Sequence, residues 1–274
     1  MRRYALLALT SGACLTLAWT LASGSSSPRA LANAGCGPHA LRGGYGFAFQ
    51  GQVIPPGAAE LDIAGAGRIV FDAQGGLSGN EWASTNGLQE TLTFTGSYSV
   101  QADCTGTAAI VNSNGRTDHI TLGLLEGGQE FTFTATDPGV VLTGKSSRQG
   151  ISQCSDRSLS GAFNAAESGS DFSPAGVEQG DDSLFFTQHF DGHGKSFGSD
   201  TLSLNGFSFP DTFTGVYHVN PDCTGSASNT FNSGGSDHVN FVLVADANQI
   251  KFISGDPGVV FAGTIDRLAS GENA

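Results

Sequence analysis

The residues of this chain best suited to chemistry come in two matched sets. Asp118-His119 is answered by Asp237-His238. A carboxylate beside an imidazole is the usual material of a general base. Neighbours along a strand project to opposite faces, however, so each pair reads as structural residues at a strand start, not as a hydrogen-bonded dyad. His189, His193 and His218 add to His238 in the second half, and a group of imidazoles is the ordinary nest of a transition metal. Against this, Phe190-Asp191-Gly192-His193-Gly194 reads as a hairpin turn, and only His119 has a histidine at its matched position. No metal is assigned. Asp72, Asp103 and Asp137, with Asp191, Asp222 and Asp256, suggest calcium by number. None lies in a D-x-D-x-D-G loop, and turn capping accounts for them better. Tyr98 and Tyr217 fall on apolar strand faces, where a hydroxyl either orients a ligand in a lumen or is satisfied inside a core. Glu81, Glu90 and Asp200 are the strand carboxylates that an acid–base catalyst would draw on, if they face inward. The sequence holds no G-x-S-x-G, Walker loop or H-E-x-x-H, and implies no cofactor.

The elements that must position these groups are strands, and they are duplicated. Thr95–Gly106 (TGSYSVQADCTG) recurs as Thr214–Gly225 (TGVYHVNPDCTG), identical at eight of twelve positions. In the first copy Leu92, Phe94, Tyr98 and Val100 alternate with threonine and serine, the period of a half-buried strand. At the same offset of 119, Phe71-Asp72 matches Phe190-Asp191, and Asp137-Pro138-Gly139-Val140-Val141 matches Asp256-Pro257-Gly258-Val259-Val260. Trp82 breaks the pattern, since Thr201 stands at its matched place. A period this long is a copied domain, not a solenoid unit.

Forty glycines and no sustained helical period point to sheet and turns. Strands are expected at about 41–53, 68–71, 77–85, 90–100, 106–111, 119–125, 130–136 and 140–145. The second set is expected at about 158–165, 183–190, 196–204, 212–219, 225–231, 239–244, 250–254 and 259–265. Ile54 to Leu61 reads as a loop, and so does the acidic stretch from Ser168 to Asp182. Eight strands in meander order leave raw edges unless the sheet closes. The predicted fold is therefore all-β, two tandem eight-stranded antiparallel up-and-down barrels, with two β-sandwiches as the alternative. The boundaries read as a signal over residues 1–34, a first barrel over 36–148 and a linker at 149–153. A second barrel over 154–267 and a tail over 268–274 follow.

Met1-Arg2-Arg3, the apolar run from Tyr4 to Ala22, and the small-x-small sites ending at Ala32 and Ala34 read as an export signal, with an uncleaved anchor as the rival. Asn33-Ala34-Gly35-Cys36 raises lipid attachment, but the residue three before such a cysteine is normally aliphatic. Beyond the signal lie Cys36, Cys104, Cys154 and Cys223. The duplication pairs Cys36 with Cys104 and Cys154 with Cys223, since each ancestral module closed its own bridge. Each bridge closes a loop of nearly seventy residues, worth about 4 kcal/mol by chain entropy. Such bridges imply an oxidising compartment, so the protein is expected to be secreted or periplasmic. Loss of Arg2, Arg3 and Arg29 with the signal leaves twenty-five acids against nine bases, a formal charge of −16. That charge argues against nucleic acid as a partner. No membrane contact is expected after signal cleavage, and the oligomeric state is open.

The run Tyr98-x-Val100…Asp103-Cys104-Thr105-Gly106, followed by Asp137-Pro138-Gly139-x-Val141-x-x-Gly144, resembles a pattern of exported bacterial tandem-repeat β proteins. That resemblance implies no activity. In architecture alone, the expected barrel is similar to lipocalin, allene oxide cyclase and dirigent folds, which hold or cyclise hydrophobic molecules; fold analogy does not carry their chemistry across. Three readings follow. The first is an exported, non-catalytic protein holding a small apolar ligand in one or both barrels. Its cups would be lined by Phe47, Tyr98 and Phe133, and by Phe163, Tyr217 and Phe252. The second is a cofactor-free isomerase or cyclase. The third is a cell-surface or matrix module acting through acidic loops.

Overall fold

The computed structural model describes residues 36–269; the signal read over residues 1–34 and most of the tail lie outside the described residues. Strands follow the alternation. In β4 (Leu88–Val100), Leu92, Phe94, Tyr98 and Val100 are buried, while Thr91, Thr93, Thr95, Ser97 and Ser99 are exposed. The other strands of the first half are β1 (Arg42–Val53), β2 (Leu61–Asp72), β3 (Gly76–Thr85), β5 (Thr105–Asn112), β6 (Thr117–Leu125), β7 (Glu130–Ala135) and β8 (Val140–Arg148). Each pairs antiparallel with the next, and β8 returns to β1 from Tyr45↔Arg148 to Val53↔Val140, closing a barrel. The second half repeats this with β9 (Ser160–Phe172), β10 (Glu178–Asp191), β11 (Lys195–Leu204), β12 (Phe207–Val219), β13 (Thr224–Phe231), β14 (Ser236–Val244) and β15 (Gln249–Ser254). Its last strand is broken at Phe261 into β16 (Val259–Val260) and β17 (Ala262–Arg267), both paired with β9. The architecture is two closed eight-stranded antiparallel barrels in tandem, and not a pair of sandwiches.

Inward phenylalanines alternate with inward glycines across each barrel. The Phe94 ring lies over Gly79 and the Phe213 ring over Gly198, where a β-carbon would overlap the ring. One end of each barrel is tied shut. Disulfides Cys36–Cys104 and Cys154–Cys223 fasten the segment before β1 and before β9 to the turn after β4 and after β12. Both Cys104 and Cys223 sit at positive φ, 68° and 71°. Asp103 holds the first turn by accepting from Thr105 N at 3.0 Å and Thr105 Oγ1 at 2.7 Å, and Asp222 does the same for Thr224. Asp72 and Asp191 cap the β2–β3 and β10–β11 turns in the same way.

Residues 54–60 form a loop as expected, but strand reaches further than expected in two places. β2 begins at Leu61, well before Arg68, and β9 and β10 run through most of the acidic stretch, leaving only residues 173–177 between them. The reason lies between the barrels. The outer faces of β1, β2 and β3 carry Ala48, Ala64, Ala66 and half-buried Trp82, which pack on Phe172, Ile253, Val260 and Ala262 of the second barrel. Small residues let the sheets approach closely. Polar contacts stitch the join: Ser170 Oγ donates to Asp62 Oδ2 at 3.1 Å, Ser84 Oγ to Val259 O at 2.7 Å, and Gly258 N to Gly87 O at 2.9 Å. The extended β9–β10 hairpin is thus held by its neighbour, which local sequence does not reveal. Trp82, unmatched in the repeat, is there because only the first barrel uses this face. Lys251, on the outer face of β15, is fully buried in the join, with Nζ donating to Thr264 Oγ1 at 2.9 Å. Burial, with Lys145 adding repulsion, brings it down to about 8.

Candidate functional site

Opposite its tied end, each barrel opens into a cavity of its own. The first measures about 160 Å³ and is walled by Phe47, Phe49, Ile69, Phe94, Phe133 and Leu142, among others. The second measures about 210 Å³, with Phe186, Phe213, Phe231, Val239, Phe252 and Phe261 in its wall. Both far exceed the ~10–15 Å³ that one water needs on the same measure.

The tyrosines do not line these cavities. Tyr98 Oη sits between Pro38 O at 2.8 Å and Leu41 O at 3.1 Å, and Tyr217 Oη between Asp156 O at 3.2 Å and Leu159 O at 2.8 Å. Each hydroxyl satisfies carbonyls of the segment leading into the barrel, so the tyrosines form the floor beside the disulfide. Phe163 is also fully buried below the cavity, edge-on to Phe190 at 5.5 Å and under the Arg267 guanidinium at 4.5 Å. Of the six residues expected in the cups, Phe47, Phe133 and Phe252 line them, and Tyr98, Tyr217 and Phe163 do not.

The histidines face outward. His119 Nδ1 lies 2.8 Å from Asp137 Oδ1, and His238 Nδ1 lies 2.8 Å from Asp256 Oδ1. The partner is the aspartate of the Asp-Pro-Gly turn eighteen residues on, not the adjacent Asp118 or Asp237. These pairs latch a turn to the outside of its barrel. His218 leans on Asp156 at 3.3 Å and His189 stacks on Phe197 at 5.0 Å. Among the described residues no group of three or more His, Cys, Asp or Glu is arranged to hold a metal ion.

Carboxylates, in contrast, enter both cavities. Glu81 is in phase with Leu77 and Ala83 on β3, so it points into the first lumen, where it is only 8 % exposed. Among the described residues no hydrogen bond reaches its carboxylate. Burial drives it to about 7, against a weaker opposing pull from Arg116. Glu90 shares the phase of Leu92 and Phe94 but lies near the start of β4, and it is exposed. The residue matching Glu81 in the second barrel is Asp200, which also lines the lumen and is raised by burial. Asp182 and Asp237 join it there, each pushed to about 6, chiefly by burial. Asp182 Oδ1 and Asp200 Oδ1 are buried with no hydrogen-bond partner. At the first mouth Arg116 and Asp118 pair at 2.9 Å. Asp118 and Asp237, which by sequence read as structural residues at a strand start, line the two lumens. The signal that finds them is phase: Asp118 alternates with Ile120 and Leu122, and Asp237 with Val239 and Phe241, the inward residues of β6 and β14.

No protein-family model matches the chain, and no curated protein matches it. Solved structures similar in outline include two bacterial proteins. One is isotype 1 transferrin-binding protein B from serogroup B Neisseria meningitidis, 7 % identical, covering 83 % of this chain and 75 % of that one at a TM-score of 0.33. The other is a Nitrosomonas europaea protein given the AttH name, 8 % identical, covering 82 % and 92 % at a TM-score of 0.25. Likeness at this level carries no argument about function. Among the described residues no helix is long and apolar enough to cross a membrane.

Proposed function

We propose that this is an exported binding protein whose two barrels each hold one small, largely apolar molecule. The observation that carries this reading is the pair of aromatic-walled cavities, each floored by a tyrosine and a disulfide and open at the other end. A protein that used its barrels only as rigid supports would fill them, because an empty apolar space forfeits contacts across it. Two disulfides suit an oxidising compartment, consistent with export. The test is titration with the apolar fluorophore N-phenyl-1-naphthylamine. The wild type enhances its emission, Ala135→Phe removes the component from the first barrel, and Ala227→Phe that from the second. Emission unchanged in the double variant would remove the reading.

A second reading, a cofactor-free isomerase, is favoured by one observation: Glu81 stands in an apolar cavity at about 7, where a carboxyl exchanges protons readily near neutral pH. Tyr98 and Tyr217 cannot assist, since their hydroxyls are engaged in the floor. Exchange of a bound ketone's α-protons for solvent deuterium, abolished in Glu81→Gln, would support it. Binding without exchange leaves the plain binder.

A further inference from the structure

The cavities differ from simple apolar cups in one respect, and it bears on what they take. Glu81 projects a carboxylate among Phe47, Phe94 and Phe133, nine-tenths removed from water and without a hydrogen bond among the described residues. A buried charge of this kind is costly unless something pairs with it. The one basic residue in that wall, Arg116, is engaged by Asp118. Asp118 itself also accepts from Asn112 Nδ2 at 2.6 Å. Among the described residues the charge of Glu81 therefore has no hydrogen-bonded partner, and only a weak pull from Arg116. In the second barrel the matched Asp200 repeats the arrangement, with one carboxylate oxygen buried and unpartnered. Around it Asp171, Asp182, Asp237 and Asp256 also line the cavity, and among the described residues no Lys, Arg or His does.

From this geometry we infer that both lumens select organic cations: a small amine whose ammonium pairs with Glu81 or Asp200 and whose aromatic or short alkyl body fills the phenylalanine-walled space. The inference rests on the binding reading above and names its ligand class. An ammonium supplies the missing counter-charge and hydrogen-bond donors, and the surrounding ring faces are favourable to a cation. The aspartates at the mouths, in a chain of formal charge −13, draw cations inward. The same carboxylates repel fatty acids and other apolar anions, which an uncharged cup of this size would accept. Deprotonated Glu81 is the partner required, so amine binding releases a proton near neutral pH.

The test compares 2-phenylethylamine with its uncharged isostere 2-phenylethanol and with 3-phenylpropanoate. Calorimetry is run on the wild type, Glu81→Gln, Asp200→Asn and the double variant. The amine is expected to bind at least tenfold more tightly than the alcohol, and the propanoate not measurably. Each single variant loses the preference at one site. The double variant binds amine and alcohol within twofold of each other. Equal binding of amine and alcohol by the wild type, or a preference that survives in the double variant, overturns the inference. If N-phenyl-1-naphthylamine binds and the amine does not displace it, the cation inference falls while the lumenal reading stands. If neither binds, both fall.

Discussion

Replacing Glu81 with glutamine removes the buried carboxylate and keeps its shape, and the consequence can be worked out from its environment. Burial raises this group from 4.5 to about 7. The folded protein therefore holds a proton that the unfolded chain releases. Folding is favoured by that difference at low pH, and the advantage is lost as pH rises through about 7. Between pH 5 and pH 8.5 the linkage relation gives a loss of roughly 2.5 kcal/mol from this one residue. Exposure of 8 % leaves little solvent screening to discount. Asp182 and Asp237 slope in the same direction, so the wild type alone cannot isolate the effect. The difference between wild type and Glu81→Gln can, because every other group titrates in both. Urea unfolding at pH 5 and pH 8.5, followed by Trp82 emission and far-ultraviolet circular dichroism, is the assay. The glutamine variant is expected to lose about 2.5 kcal/mol less than the wild type on going to the higher pH. Curves that stay parallel to within about 0.5 kcal/mol would mean that Glu81 is solvated or paired, and would refute the account of the lumen.

Lys251 tests the join between barrels with the opposite slope. Its folded value near 8 lies below the 10.5 of an ordinary lysine, so the unfolded chain binds the extra proton and stability rises with pH. From pH 7 to pH 9.5 the wild type should gain about 2 kcal/mol that Lys251→Met does not. A methionine variant with the same pH slope would show that the ammonium reaches water. Removing the floor hydroxyl in Tyr217→Phe leaves Leu159 O and Asp156 O without this donor and should cost about 1–2 kcal/mol. N-phenyl-1-naphthylamine binding to the second barrel should be retained, and loss of that binding with stability intact would place the hydroxyl in the cavity after all.

Closure into barrels, the strand faces and both sulfur bridges were legible because period, turn chemistry and duplication each act locally or pairwise along the chain. What stayed hidden depended on partners remote in sequence. Tyr98 and Tyr217 read correctly as inward residues, but their floor role depends on carbonyls about sixty residues earlier. The stretch from Ser168 to Asp182 looked like a loop because its composition is polar and acidic; the hairpin persists because Phe172 and Ser170 lean on the first barrel. Asp118 and Asp237 were legible in phase but obscured by type, since an aspartate near a turn is usually a cap.

The break at Phe261 carries a last consequence. Opposite it, β9 and the final strand part company between the Ser170 and Asn164 pairings. Glu167 Oε1 accepts from Thr264 N at 2.7 Å in the gap, and Gln50 of β1 donates to both Ser168 O and Ala262 O. The second ring is thus riveted at its seam by a side chain from the first, whereas β1 and β8 join by their own ladder. The first ring closes on itself, while the second borrows a splint from its neighbour where its own ladder is interrupted.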